Sequence, residues 1–218
     1  EGFARGFEYS DCWVEDSRLV ALNARDALER GADVRTRTTM TGAERQGDHW
    51  CLTLQDSETG EVSEARAKGV VNAGGPWVAD IMNGKLRQNS SEKVRLVRGS
   101  HIVTKKLFDH DQPYIFQQAD GRIIFAIPYE TDFTLIGTTD ADHEDAPGTA
   151  VCTPQEQDYL LNAASEYFKQ PVTAEDVVWT YSGVRPLYDD GASSSTAATR
   201  DYVLSVNDAD GKAPLLNV

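Results

Sequence analysis

The sequence has no long hydrophobic run and little positive charge. No apolar stretch approaches the roughly 18 residues that a membrane-spanning helix needs, and the first residues lack the basic and apolar segments of a secretory signal. Lys and Arg total 21 against 35 Asp and Glu, a formal net charge of −14. Nucleic acids and anionic membranes require a field of Lys and Arg, so this balance argues against both as direct partners. We expect a soluble chain that binds any phosphate through a few local arginines.

Cysteine clusters and metal motifs are also missing. The three cysteines, Cys12, Cys51 and Cys152, form no CxxC pair and do not combine with histidine at metal-ligand spacing, so we expect reduced thiols and no zinc site. The acidic run Asp140–Asp145 lacks the glycine and the glutamate of a calcium-binding loop, and we interpret it as a solvated loop. The sequence therefore predicts no metal.

The composition predicts a hydrophobic core of substantial size. Of the 218 residues, 40% are hydrophobic and 26% are charged, which is typical of a folded chain with one large domain or two small ones. Helical spacing predicts a helix over 16–31, with Asp16 or Ser17 as its N-cap. A capping box at Thr153 and Glu156 opens a second predicted helix, which extends to Phe168.

Strand-like segments fall into two groups, separated by a polar stretch at 83–92 that we predict to be a loop. Before this stretch, the pattern predicts a three-stranded ribbon and a short buried strand, at 34–40, 50–54, 62–67 and 70–73. After it, alternating apolar segments predict an antiparallel meander, at 94–104, 114–118, 122–129 and 131–138. Two later strands are predicted at 177–181 and 201–206, on either side of an exposed loop at 189–199.

The short buried strand runs directly into the paired glycines Gly74 and Gly75. Glycine lets a ligand approach the backbone closely at the carboxyl end of a strand, where open α/β sheets bind nucleotides. The alternative is a tight strand-to-helix turn in which glycine supplies a positive φ. Because no G-x-G-x-x-G occurs, the phosphate-binding loop of any dinucleotide site is expected outside this chain.

Two further stretches carry candidate chemistry. His101 follows Gly-Ser inside a predicted strand, and an ordinary pKa near 6.5 suits it to abstract an alcohol proton; the alternative is a histidine satisfied within the core. Arg185 ends one apolar strand and Arg200 begins the next, so their planar guanidinium groups are candidates to bind one phosphate. The alternative for the arginines is ordinary ion pairing with the nearby Asp189, Asp190 and Asp201.

Six motifs carry a resemblance that covers nearly the whole chain. They are FEYSDCW at 7–13, NAGGPW at 72–77, RGSHIV at 98–103, LIGTTD at 135–140, WTYSGVRPL at 179–187 and TRDY at 199–202. In this order they resemble the FAD-dependent, quinone-linked aerobic glycerol-3-phosphate dehydrogenases, which belong to the D-amino-acid oxidase-like flavoproteins. The resemblance implies an α+β fold, in which part of an FAD-binding domain is joined to a substrate domain with an antiparallel or mixed sheet.

The resemblance also implies how the chain is divided. Residues 15–80 would form part of the FAD-binding domain, residues 1–14 and 81–210 the substrate-binding domain, and residues 211–218 a strand that returns to the FAD-binding domain. The family's glycine loop is expected before Glu1 and a Gly-Gly-Lys segment after Val218. We therefore expect a central fragment that is inactive by itself and does not retain FAD.

Cofactor contacts follow from the same resemblance. Gly74 and Gly75 are implied to approach the FAD, and Met40 to face its adenine end. The family often has Thr where this chain has Gly75, so a side-chain hydrogen bond to the cofactor would be missing here while a backbone contact survives.

The implied reaction is the oxidation of sn-glycerol 3-phosphate to dihydroxyacetone phosphate, with electrons passed to a membrane quinone. His101 would be the catalytic base, and Arg185 and Arg200 would bind the substrate phosphate. Whole enzymes of this family lie on the cytoplasmic side of the inner membrane as peripheral proteins. The oligomeric state is not indicated.

Two other functions stay open from the sequence. An amine or amino-acid oxidase of the same flavoprotein group needs one arginine for a carboxylate and no second one for phosphate, so it predicts tolerance of substitution at Arg200. A non-catalytic domain that binds a phosphate ligand would hold the anion without turnover.

Overall fold

The computed structural model describes residue 3 and residues 5–90, 93–189, 191, 199–208 and 211–218. The chain forms two compact units, one of Glu1–Gly69 with Asp210–Ala213 and one of Val70–Ala209 with Pro214–Val218. Helices and antiparallel or mixed sheets occur together, which confirms the predicted α+β class. None of the described helices has the length and apolar character to cross a membrane.

The first unit contains one helix and a three-stranded antiparallel sheet. Its elements are α1 (Asp16–Glu29), β1 (Thr38–Gln46), β2 (His49–Asp56) and β3 (Val62–Ala67), with strand order β1-β2-β3. The predicted helix and ribbon are confirmed. The N-cap prediction is wrong, because Glu15 occupies that position without a side-chain cap. β1 begins later than predicted because Arg37 has a positive φ of 56°, which interrupts the extended backbone.

Trp50 is the buried centre of this ribbon. It is 1% exposed, and the Arg45 guanidinium, from the paired position of β1, lies 4.6 Å from the centroid of its ring. α1, in contrast, has no buried residue in the described chain. The ribbon is therefore stabilised by strand pairing and one aromatic anchor.

The second unit contains two sheets. The elements of the larger sheet are β5 (Val94–Lys105), β6 (Tyr114–Gln117), β7 (Ile123–Tyr129), β8 (Phe133–Gly137), β9 (Ala141–Asp142) and β10 (Val177–Tyr188). Their order is β10-β5-β8-β7-β6, all pairs are antiparallel, and β9 also pairs with β5. The predicted antiparallel meander is confirmed. β10 extends beyond the predicted 177–181 and accommodates Pro186 because it is an edge strand.

The smaller sheet pairs residues near the end of the chain with residues 70–72. Its strands are β4 (Val70–Asn72), β11 (Ser205–Asn207) and β12 (Leu215–Asn217), with β12 parallel to β4 and antiparallel to β11. After β4 the chain is helical through α2 (Val78–Asp80) to Lys85. The predicted loop at 83–92 is therefore wrong at its start. Residues 91 and 92 of that loop lie outside the described residues. β11 begins four residues later than the predicted 201, and most of the predicted loop at 189–199 also lies outside.

α3 (Pro154–Ser165) covers one face of the larger sheet. Its Leu160 packs with Ile102, Ile124 and Ile136 of three strands, and all four side chains are fully buried. The predicted capping box is present. The helix ends before the predicted Phe168 because the Ser165 hydroxyl donates to the Leu161 carbonyl and accepts from the Val172 amide, which turns the chain.

The boundary between the compact units lies between Gly69 and Val70. The predicted domains were defined by the ligand that each would bind, FAD or substrate, and their boundary lies near residue 80. The assignment of 15–80 to FAD, of 1–14 and 81–210 to substrate, and of 211–218 to a returning strand stays a prediction. The three cysteines are free thiols in this fold, and Cys12 is exposed.

Candidate active site

Alternate residues of β5 belong to opposite faces of the larger sheet. Ser100 and Ile102 lie on the side that α3 covers, which we call the α3 face. His101 lies on the other side, the His101 face. Strand register places Tyr181 and Gly137 directly beside His101, one on each neighbouring strand.

The imidazole of His101 is held between these two neighbours. It stacks on the Tyr181 ring with centroids 4.9 Å apart and an interplanar angle of 3°. On the β8 side it occupies the space above Gly137, where a Cβ atom would collide with the ring. His101 is half-buried, and its Nδ1 has no exposed surface. The ring orientation is therefore fixed by packing.

Arg185 reaches back along β10 so that its guanidinium lies over Gly99, where a side chain would collide with it. Nη1 donates to Asp140 Oδ1 at 2.7 Å and to the Thr139 carbonyl at 3.4 Å. Nη2 donates to Thr138 Oγ1 at 3.0 Å. The segment after β8 thus holds this guanidinium on the His101 face.

Arg200 reaches the same carboxylate. Its Nη2 lies 3.4 Å from Asp140 Oδ2, so the structure brings Arg185 and Arg200 together. The predicted alternative named the wrong carboxylates, because neither Asp189 nor Asp201 pairs with these arginines among the described residues. Asp190 lies outside the described residues.

Asp140 is an exception within the acidic run, which the sequence predicts to be a solvated loop. The Asp140 side chain is only 15% exposed. Asp142 lies in β9 and pairs with Arg95 at 2.8 Å, and His143 is buried. The run pairs with β5 through Ala141 and Asp142, while the side chains of Asp142, Glu144 and Asp145 stay exposed as predicted. In the described part of the chain, no group of three His, Cys, Asp or Glu side chains is placed to hold a metal ion.

Glu156, on the α3 face, holds the same segment from behind. It accepts hydrogen bonds from Thr139 Oγ1 at 2.7 Å, from Ser100 Oγ at 2.9 Å and from Arg98 Nε at 3.1 Å. Burial raises the pKa of Glu156, but hydrogen bonds from the Thr153 backbone and from Thr139, Arg98 and Ser100 outweigh burial and lower it to about 2. Glu156 is therefore an ionised, fully partnered carboxylate.

Sequence reasoning missed both carboxylates as parts of the site. Asp140 lies three residues after the end of β8, at the end of the LIGTTD motif, and that position is the signal that identifies it. The sequence indicates Glu156 only as the N3 residue of a capping box. Its contacts with β5 have no local sequence signal, because they join residues more than fifty positions apart.

The paired glycines after β4 have different roles. A Cβ on Gly74 would collide with Ile81 Cδ1, the end of a flexible side chain, and would lie 3.2 Å from Asn72 Oδ1, so packing leaves little room for a side chain there. Gly75 has a φ of 54°, and no atom lies within 4 Å of its Cβ direction. The turn and ligand interpretations are thus both compatible with Gly75, close packing favours glycine at position 74, and the implied approach of Gly74 and Gly75 to FAD stays a prediction.

A cavity of about 290 Å³ adjoins Gly75. Its lining shows whether the residues present could hold part of a flavin dinucleotide. Its walls include Ala73, Val78 and Met82, so they are largely apolar, and the backbone is bare of a side chain at Gly75. The cavity also reaches the residues that follow Arg185 and Arg200, including Pro186 and Tyr202. The residues present fit part of a flavin group. Met40 lies in the first unit, half-buried beside a bulge in β1, and its role stays a prediction.

Comparison with known proteins matches these features. A family model described as "FAD dependent oxidoreductase" matches residues 1–207. The D-erythritol 1-phosphate dehydrogenase of Brucella abortus (strain 2308) is 47% identical over 216 residues, which cover 99% of this chain and 43% of that protein. The aerobic glycerol-3-phosphate dehydrogenase of Escherichia coli (strain K12) is 45% identical over 214 residues, 98% of this chain and 43% of that protein.

A solved structure extends the similarity to the fold. The glycerol-3-phosphate dehydrogenase from Bacillus halodurans, complexed with FAD, has 30% sequence identity and a TM-score of 0.75 over 93% of this chain and 38% of its own. The chain thus spans less than half the length of the relatives it matches. The predicted resemblance and the predicted cofactor, FAD, are confirmed. This chain belongs to the FAD dependent oxidoreductase family.

Proposed function

We propose that this chain is the central part of a flavoenzyme that oxidises sn-glycerol 3-phosphate to dihydroxyacetone phosphate. The observation that carries the proposal is the convergence of Arg185 and Arg200 on one carboxylate beside the His101 face. Two guanidinium groups against one carboxylate leave a net positive site, which suits a small dianion. In a chain with a net charge of −14, such a local cationic site is needed to attract an anionic substrate.

Strand geometry gives the distance between the anion site and the base. The Arg185 guanidinium lies over Gly99, two residues from His101 on the same face of β5. Two residues of strand span about 7 Å. In glycerol 3-phosphate only one carbon and one ester oxygen separate the oxidised carbon from phosphorus, so a phosphate held near Gly99 brings the C2 hydroxyl towards His101.

The residues of this chain then have separate roles in substrate binding, proton transfer and cofactor binding. Arg185 and Arg200 bind the phosphate and orient the substrate, with binding energy remote from the reacting carbon. His101 accepts the C2 hydroxyl proton at Nε2, because Nδ1 is buried. The chemistry that FAD supplies when bound is the acceptance of a hydride. Ala73 and the backbone at Gly75 would hold part of the cofactor, on the evidence of the cavity that they line.

The final electron acceptor and the cellular location are part of the proposal. We propose that electrons pass to a membrane quinone and that the full-length enzyme is peripheral on the cytoplasmic side of the inner membrane. Assays of the full-length protein with a soluble quinone analogue, and flotation with lipid vesicles, test these two points. An enzyme that reduces only oxygen, or that stays unbound to vesicles, contradicts them.

A second substrate is favoured by one observation, the 47% identity to a D-erythritol 1-phosphate dehydrogenase. Both candidates are small polyol monophosphates, so the same arginine pair and base serve either. The amino-acid oxidase alternative has a weaker basis, because it leaves the second arginine without a role.

The decisive experiment is anaerobic reduction of the full-length protein. We expect loss of the oxidised flavin absorbance with glycerol 3-phosphate, slower reduction with D-erythritol 1-phosphate, and the formation of dihydroxyacetone phosphate. Faster reduction by the erythritol ester would reassign the substrate, and reduction only by amines or amino acids would contradict the proposal. The 218-residue chain alone is expected to purify colourless and inactive; a stoichiometric flavin spectrum would contradict that expectation.

A further inference from the structure

We propose that Asp140 is a positioning residue, which holds Arg185 and Arg200 together at the phosphate site. The inference rests on the proposed function, because it assigns Asp140 a part in binding the phosphate of that substrate. Its basis is a contact that no sequence motif revealed, namely one carboxylate that touches both guanidinium groups.

The segment 138–140 is held from both sides of the sheet. Thr139 donates to Glu156 at 2.7 Å on the α3 face and accepts from the Ser100 amide at 2.9 Å. Thr138 and Asp140 contact Arg185 on the other side. Because Thr139 is fixed from behind, the carboxylate next to it has a defined position.

The two arginines depend on Asp140 to different degrees. Arg185 has three acceptors, in Thr138, Thr139 and Asp140. Arg200 contacts only Asp140 among the described residues, at 3.4 Å and 3.5 Å, and its side chain is 53% exposed. Nε and Nη1 of Arg200 make no hydrogen bond within the described chain, so they are available to a phosphate. Loss of Asp140 should therefore release Arg200 and leave Arg185 in place.

Charge supports the same assignment. Two guanidinium groups repel each other at short distance, and a carboxylate between them offsets that repulsion. The opposite role is a carboxylate that competes with the phosphate for the arginines. The two roles predict changes of opposite sign in substrate affinity when the charge of Asp140 is removed, so one variant separates them.

The test uses the full-length enzyme with Asp140→Asn and, as a matched control, Asp142→Asn. Asp142 lies two residues away and pairs with Arg95 at a similar distance, 2.8 Å, without contacting either arginine of the site. For Asp140→Asn we expect KM for glycerol 3-phosphate to rise about tenfold, as for one lost charge-assisted hydrogen bond, with kcat and the turnover of glycerol nearly unchanged. The control should leave all three values near wild type.

A double-mutant cycle separates positioning from a general structural defect. If Asp140 acts by placing Arg200, Asp140→Asn should add little to KM in an Arg200→Ala background. An equal further rise in that background, or an unchanged or lowered KM in the single variant, overturns the inference.

A variant that does not fold and a wild-type enzyme that is inactive lead to different conclusions. Should Asp140→Asn fail to fold, Asp140→Glu keeps the charge but displaces the carboxylate, and a KM equal to or below wild type then overturns the inference. A wild-type enzyme that neither polyol phosphate reduces contradicts the proposed function itself. If the wild-type enzyme is active and Asp140→Asn has the same KM, only the positioning role is contradicted.

Discussion

The two faces of the larger sheet use charged groups differently. On the α3 face, the buried Glu156 carboxylate is surrounded by donors from Arg98, Ser100 and Thr139. On the His101 face, two arginines share one carboxylate, and donors of Arg200 have no acceptor among the described residues. A saturated network stabilises a fold, whereas an excess of donors is available to an anion.

The contrast arises from strand alternation. Neighbouring residues of β5 supply Ser100 to one face and His101 to the other, so a slip of one residue would exchange their environments. The Thr138–Asp140 segment alternates in the same way, which couples the two faces through adjacent side chains. We therefore expect substitutions on the α3 face to change stability first and substitutions on the His101 face to change activity first.

Glu156→Ala should show the largest effect and tests the stabilising face. Removing one partner of a buried ion pair leaves Arg98 uncompensated, and we expect a loss of about 3–5 kcal/mol in the free energy of unfolding. Denaturant unfolding of the full-length protein measures it, with Glu156→Gln as a control that keeps the shape and should lose less. Unchanged unfolding of the alanine variant would refute the contrast between the faces.

His101→Ala should have the next largest effect, on turnover. Loss of a general base lowers kcat by on the order of 100-fold, for glycerol 3-phosphate and for glycerol alike, because the base acts in the transition state. Steady-state kinetics with both substrates measures this, with denaturant unfolding as a check that the fold is intact. A variant that retains the wild-type kcat would show that His101 is only a packed residue beside Tyr181.

Acid should weaken the α3 face through Glu156. Its pKa is about 2 in the folded protein against an ordinary 4.5, a depressed value, so the stability it contributes is present above about 4.5 and is lost as pH falls towards 2. We expect a loss of roughly 2 kcal/mol over this range, allowing for screening by solvent. Unfolding midpoints measured from pH 5 downwards should decline less steeply in Glu156→Gln, and parallel declines would exclude Glu156 as the cause.

Arginine substitutions should have the smallest of these effects and sharpen the assignment of the anion site. Arg185→Ala and Arg200→Ala should each lower kcat/KM for glycerol 3-phosphate by about tenfold or more, with a much smaller loss for glycerol, which lacks the phosphate. Arg95→Ala, whose partner is Asp142, is the matched control. Equal losses on both substrates would refute the phosphate assignment, and an inert Arg200 substitution would favour an amino-acid oxidase.

Local patterns predicted much of the fold and part of the site. The helix at 16–29, the capping box at Thr153 and the antiparallel meander follow from periodicity and capping chemistry, which act between residues close in sequence. The sequence also identified Gly75, Arg185 and Arg200 as candidates, but it placed the arginines wrongly: Arg185 lies inside β10, and Arg200 lies five residues before β11, not at its start. Their proposed roles in binding came from the family resemblance.

By itself the sequence determined the residue types available for chemistry, the elements that carry them and the family of the chain. Only the tertiary structure decided that Asp140 joins the two arginines, that Glu156 fixes the neighbouring Thr139, and that Gly74 packs closely against Ile81. These contacts depend on strand register and on the packing of α3, which bring together residues separated by tens of positions. Such pairings have no period and no local motif, because they are set by the sum of all contacts in the sheet.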